Sequence, residues 1–127
     1  MGKIQSYREL RVWKAAIDLA EKVYQISKTF PKHELYGLTS QMQRAAVSIP
    51  SNIAEGFGRF HMKEYLHFLK IAFGSLSELE TQIELAKRFG YIESDNHASL
   101  LSATNALGKQ LTQQRKSLNE SISKAEE

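Results

Sequence analysis

A proline in the middle of a helical pattern constrains this chain more than any other feature. Residues 44–59 read Arg-Ala-Ala-Val-Ser-Ile-Pro-Ser-Asn-Ile-Ala-Glu-Gly-Phe-Gly-Arg. Inside a helix a proline removes one backbone donor and clashes with the preceding turn, at ~3 kcal/mol. The simplest expectation is therefore a break before Pro50. The side-chain spacing argues otherwise. Met42, Ala46, Ile49, Ile53, Phe57 and Phe60 follow at steps of three and four, in phase on both sides of Pro50. Arg44, Ser48, Asn52, Glu55 and Arg59 do the same on another face. A break would scramble both phases, so the pattern predicts one helix, kinked at Pro50, with an apolar and a polar stripe. Ser48 is placed to bond a backbone carbonyl one turn back and so to take part in the kink.

Three more helices follow from the same spacing. From about Glu9 to Thr29, the residues Trp13, Ala16, Ile17, Ala20, Val23, Tyr24 and Ser27 mark one face, and Pro31 ends the helix by displacing the residue before it. The proline-containing helix runs from about Leu38 to Phe57, with Gly56 and Gly58 as its stop. A third spans about Met62 to Arg88 with Leu66, Leu69, Phe73, Leu76, Leu79, Ile83 and Ala86 on its stripe. Gly74 in its middle costs up to ~1 kcal/mol against alanine, which predicts a close approach of another backbone there. A fourth starts at Ser94 or Asp95 and carries Leu100, Leu107, Leu111, Leu118 and Ile122. No strand-like alternation competes. Four amphipathic helices with short links predict an all-α, up-down antiparallel four-helix bundle. Residues 1–127 are expected to form a single domain, with residues 1–6 and 123–127 poorly ordered at its ends.

Charge bounds the partners. The net charge of +3 is mild, but its distribution is uneven: residues 1–70 hold eleven of the 17 Lys and Arg and six of the 14 acids, so that part is basic and the remainder acidic. There are no cysteines, hence no disulfide framework, thiol chemistry or cysteine-based metal site. No apolar run reaches the ~20 residues of a membrane span, and the N-terminus lacks the apolar stretch of a signal peptide, which predicts a cytoplasmic protein without a membrane partner.

The chemistry-bearing residues argue against an enzyme. No serine sits in a Gly-x-Ser-x-Gly elbow, and no glycine loop follows a strand. Glu64 and His67 have the Glu-x-x-His spacing of di-metal bundles, but no second pair exists and Glu64 lies about 200° from Leu66, outside the core. No metal and no cofactor is expected. Glu55 can pair with Arg59 four residues on, or Asn52 and Glu55 can lie in a tight interface that holds the kink or bonds a neighbouring chain. On the third helix, Lys63, His67 and Lys70 share a face near the start while Glu78, Glu80 and Glu84 lie toward the end, against the preference of the helix dipole. Together with Arg59, Arg11 and Lys14 the basic set makes a candidate phosphate-contacting patch. Ser48, Pro50, Asn52, Glu55 and Gly74 are the candidate structural or interface residues.

With those residues in view, a resemblance becomes legible. Tyr7-Arg8-Glu9-Leu10 with Trp13, Phe30-Pro31, Leu38-Thr39 with Gln41, Ser48-Ile49-Pro50 with Asn52-Ile53-Ala54-Glu55-Gly56, and Gly74-Ser75 with Glu78 resemble the small bundle proteins encoded in 23S ribosomal RNA intervening sequences. The resemblance covers about Tyr7 to Ile92, and the Ser-Ile-Pro to Glu-Gly stretch is its most specific part. It implies a four-helix bundle assembled as a ring-like homopentamer. It also implies kinship with the accessory proteins of diversity-generating retroelements, similar pentamers that bind nucleic acid and a reverse transcriptase. It brings no catalytic residues. Two functions stay open at this point: a homo-oligomeric module that binds structured RNA or DNA, and a protein–protein scaffold.

Overall fold

A computed structural model describes residues 4–127; the first three residues of the lead-in, part of the stretch expected to be poorly ordered, lie outside it. Four helices carry the fold: α1 Arg11–Ser27, α2 Leu38–Phe57, α3 Met62–Arg88 and α4 Ser94–Ala125. Short 3-10 turns precede α1 at Tyr7–Glu9 and α2 at Lys32–Glu34, and no strand occurs among the described residues. Each helix packs on its sequence neighbours and α4 closes back on α1, while the diagonal pairs α1–α3 and α2–α4 do not approach. Short links reverse the chain between successive helices, and cross-links tie the seams. Gln43 on α2 donates to Ser27 Oγ on α1 (3.0 Å), Ser48 on α2 meets Ser75 on α3 (2.8 Å), and Lys22 on α1 donates to Ser99 on α4 (2.8 Å). The protein is an up-down antiparallel four-helix bundle.

The core is built where the three-four spacing puts it. Met42, Ala46, Ile49 and Ile53 of α2 are fully buried, as are Leu69, Leu79 and Ile83 of α3 and Leu100, Leu107 and Leu111 of α4. Helix α2 passes through Pro50 as one unbroken helix. The turn around the proline is tied by side chains: the Asn52 amide donates to the Ser48 carbonyl (2.8 Å) and to the Ser48 hydroxyl (3.0 Å). The Ser48 hydroxyl thus bridges Asn52 and Ser75 across the α2–α3 seam, and not a carbonyl one turn back.

Three local expectations change. In α1 the buried set is Val12, Ala16, Leu19, Val23 and Ser27, whereas Ile17 and Tyr24 stand 39% and 41% exposed. Apolar residues cover so much of this helix that the spacing fits two overlapping stripes, and contacts with α2 and α4 choose between them. The two glycine roles are exchanged. A Cβ on Gly74 would meet nothing within 4 Å, while one on Gly56 would lie 2.5 Å from Phe68 Cβ and 3.2 Å from Tyr65 Cδ1. The close helix crossing is therefore α2 on α3 at Gly56, inside the helix, and Gly74 lies on an open face. Phe60 leaves the apolar stripe altogether: it sits in the α2–α3 turn, 83% exposed.

At the opposite end, Tyr91 beyond α3 donates to Glu34 Oε2 (2.8 Å), and Glu34 Oε1 accepts from the Leu38 N–H at the start of α2 (3.2 Å). One carboxylate thus caps a helix and ties two loops. The Tyr91 hydroxyl, then the Leu38 amide, hold the Glu34 carboxyl below its usual range. A carboxyl depressed in the folded state contributes stability above its unfolded value, and that contribution is lost as pH falls through the folded value. Tyr91→Phe is accordingly expected to lower stability at neutral pH, with the gap to the parent protein closing in acid. Denaturant midpoints of both proteins at a series of pH values measure this directly.

Candidate nucleic-acid interface

On α3, residues 63, 67 and 70 are spaced at four and three, so Lys63, His67 and Lys70 share one outward face. All three are exposed. Among the described residues no ion pair engages His67 or Lys70, whereas Lys63 Nζ meets Glu126 at 2.7 Å. Arg59, in the turn that leads into α3, pairs with Glu55 four residues back (2.8 Å), approaches Glu64 (3.8 Å) and stacks over the Phe68 ring at 5.2 Å. Of the two readings of Glu55, the pairing with Arg59 is the one made within the chain. Such exposed pairs contribute ~0–1 kcal/mol, so they can be exchanged for contacts with an incoming phosphate at little cost.

Arg11 and Lys14 lie elsewhere. They are exposed on α1, the diagonal partner of α3, and so do not extend the α3 face. The six basic candidates divide into a pair on α1 and a set of four at the α2–α3 turn and along α3.

The charge gradient of α3 has a local account. The dipole acts within the first and last turns; the last carries Lys87 and Arg88, the favourable sign, and in the first Glu64 offsets Lys63 beside it. Of the acids between, Glu84 is paired with Arg88 (2.9 Å) and faces His97 (3.8 Å), which holds its carboxyl below the usual range, chiefly through the Arg88 hydrogen bond. Glu78 accepts from Gln82 at 3.4 Å. The basic half of the face has no such full complement.

The Glu64–His67 spacing assembles no ligand set: Glu64 is turned to Arg59 and His61, and His67 packs edge-on to Phe68. No group of three or more His, Asp or Glu gathers among the described residues in a way that could hold a metal ion. None of the described helices is long and apolar enough to cross a membrane.

Two neighbours of the basic face were not legible as part of it. Phe60 and His61 project from the α2–α3 turn beside Arg59. The signal lay in Gly58, past which a helical stripe cannot be continued to Phe60.

The comparisons with known proteins agree with this architecture. A crystal structure of a protein with unknown function from the S23 ribosomal protein family of Bacteroides thetaiotaomicron superposes with a TM-score of 0.76 at 23% sequence identity, over 83% of this chain and 95% of that one. At that identity the likeness shows a shared fold. None of the curated proteins matches the chain. Residues 8–113 match the family model described as 23S rRNA-intervening sequence protein. The match spans most of the bundle, including the proline helix and the α3 face, and the chain belongs to the 23S rRNA-intervening sequence protein family.

Proposed function

We propose that the protein is a cytoplasmic, non-enzymatic binding module that assembles with copies of itself, as a pentameric ring, and contacts structured RNA or other nucleic acid through the outer face of α3. The observation that carries the reading is the exposed row Lys63, His67 and Lys70, continued by Arg59, on one rigid helix and turn. Self-association is supported by apolar surface that a single bundle leaves in water. Tyr24 and Val47 line one groove between α1 and α2, and Ile17 stands seven residues before Tyr24 on the same face of α1. In a head-to-tail ring this strip meets a different surface of the next copy, which leaves the α3 face free. Repetition of a weak patch around such a ring supplies avidity that +3 per chain does not.

Light scattering tests the assembly, and a monomer at 14.4 kDa would remove it. A salt titration with a structured RNA fragment tests the binding. The double variant Lys63→Glu, Lys70→Glu is expected to bind at least ~10-fold more weakly and with a shallower dependence on salt, since phosphate contacts release counterions. Equal binding by that variant would remove the α3 face. A second reading, a protein–protein scaffold without nucleic acid, is favoured by the pairing of Arg59 with Glu55 and of Lys63 with Glu126. On that reading RNA binding is absent from the parent protein as well.

A further inference from the structure

We propose that Phe60 is a stacking platform for an unpaired RNA base, set at the end of the basic face of α3. The proposal rests on the RNA reading given above and adds the nucleotide class that the turn selects. Two unfavourable features meet at this residue. Its ring is 83% exposed, which forfeits the gain from burying a phenylalanine. Its backbone is left-handed (φ 55°), the one non-glycine residue so placed among the described residues. That region is costly for a bulky side chain. Gly58, two residues earlier, could have taken the left-handed position without penalty, yet it is right-handed (φ −69°). The chain turns at the phenylalanine instead and projects it outward.

The surroundings match a base better than a buried partner. The Phe57 ring lies 6.2 Å away at 57°, supporting Phe60 from one side. The flanking residues are Arg59 and His61, and Lys63 opens the following turn of α3, with His67 and Lys70 beyond. Single-strand sites combine a cationic track for the backbone with an aromatic face on which a base of any identity stacks. RNA loops and bulges are the places where such bases are available, so the turn suits a hairpin or bulged stem over a blunt duplex.

The test compares a hairpin whose purine-rich loop carries 2-aminopurine with a blunt duplex of the same stem. The parent protein is expected to bind the hairpin more tightly and to change the 2-aminopurine fluorescence. Phe60→Ala is expected to weaken hairpin binding about 10-fold, abolish the fluorescence change and leave duplex binding as it was, while Phe60→Tyr keeps all three. Because the side chain is exposed, the substitution leaves the core intact. Equal loss on both RNAs, no loss on either, or a fluorescence signal that survives Phe60→Ala would overturn the platform. So would a change in oligomer mass, which would make Phe60 a subunit contact. If the parent binds both RNAs and only Lys63→Glu, Lys70→Glu weakens it, stacking falls and the RNA reading stands; if the parent binds neither, both fall.

Discussion

Gly56→Ala is expected to destabilise the bundle by about 2 kcal/mol, although alanine is the better helix former. The added Cβ would lie 2.5 Å from Phe68 Cβ, a separation that real Cβ atoms essentially never show. Phe68 Cβ is tied directly to the α3 backbone and cannot swing aside, and Tyr65 Cδ1 at 3.2 Å closes the neighbouring direction. The helices must therefore move apart, and the fully buried Ile53 and Leu69 lose packing on either side of the crossing. Gly74→Ala supplies the control with the opposite sign. Its Cβ meets nothing within 4 Å, so only the helix propensity term remains, a gain of about 1 kcal/mol. Urea midpoints of the two variants decide the matter, and a stabilised Gly56→Ala would refute the crossing. If the backbone of a neighbouring copy lies against Gly74, the second variant also lowers the oligomer mass while its unfolding midpoint under monomeric conditions rises.

Tyr65→Phe is the change expected to help. The Tyr65 side chain is buried beneath the same crossing, edge-on to Phe57 at 5.8 Å, and its hydroxyl has no hydrogen-bond partner among the described residues. Removing an unpaired buried hydroxyl is expected to add about 1 kcal/mol. Burial also pushes the phenol up to about 12. A group raised in the folded state gives a contribution that is whole below its unfolded value and is lost as pH rises through the folded one. The parent protein should thus lose on the order of 2 kcal/mol between the ordinary tyrosine range near ~10 and the raised value. Tyr65→Phe lacks that titration, so the advantage of the variant should widen in alkali. Parallel alkaline unfolding curves for the two proteins would contradict the assignment.

The helices were legible because their signals are local. Apolar residues at three and four, Pro31 as a stop and the common phase of Ile49 and Ile53 across Pro50 are enough to place α2 at Leu38–Phe57 and α3 at Met62–Arg88. The contacts that decide the rest join residues far apart in the chain. Nothing near Gly56 in sequence announces Phe68, and nothing near Gly74 announces open space, so the close approach made within the chain falls at Gly56 and has no local signal. The choice between the two stripes of α1 needed α2 and α4 in place. The candidate site was legible as charge on a helix face; the spacing of Lys63, His67 and Lys70 carries it. The diagonal separation of α1 from α3, which detaches Arg11 and Lys14, is a property of the packing order and has no sequence signature. The Glu126 partner of Lys63 lies at the other end of the chain and was equally invisible.

The closure of α4 onto α1 has a consequence for the nascent chain. Helices α1 to α3 can pair in the order in which they leave the ribosome, each hairpin closing a short loop. The inner side of α1, with Val12, Leu19 and Val23, also borders the place that α4 will occupy. At ~5–20 residues per second, a helix as long as Ser94–Ala125 takes seconds to appear. During that interval the growing polypeptide is a three-helix sheet with one greasy flank uncovered. Translation pauses placed before residue 94 should then lengthen its exposure to chaperones, and release of α4 should end it.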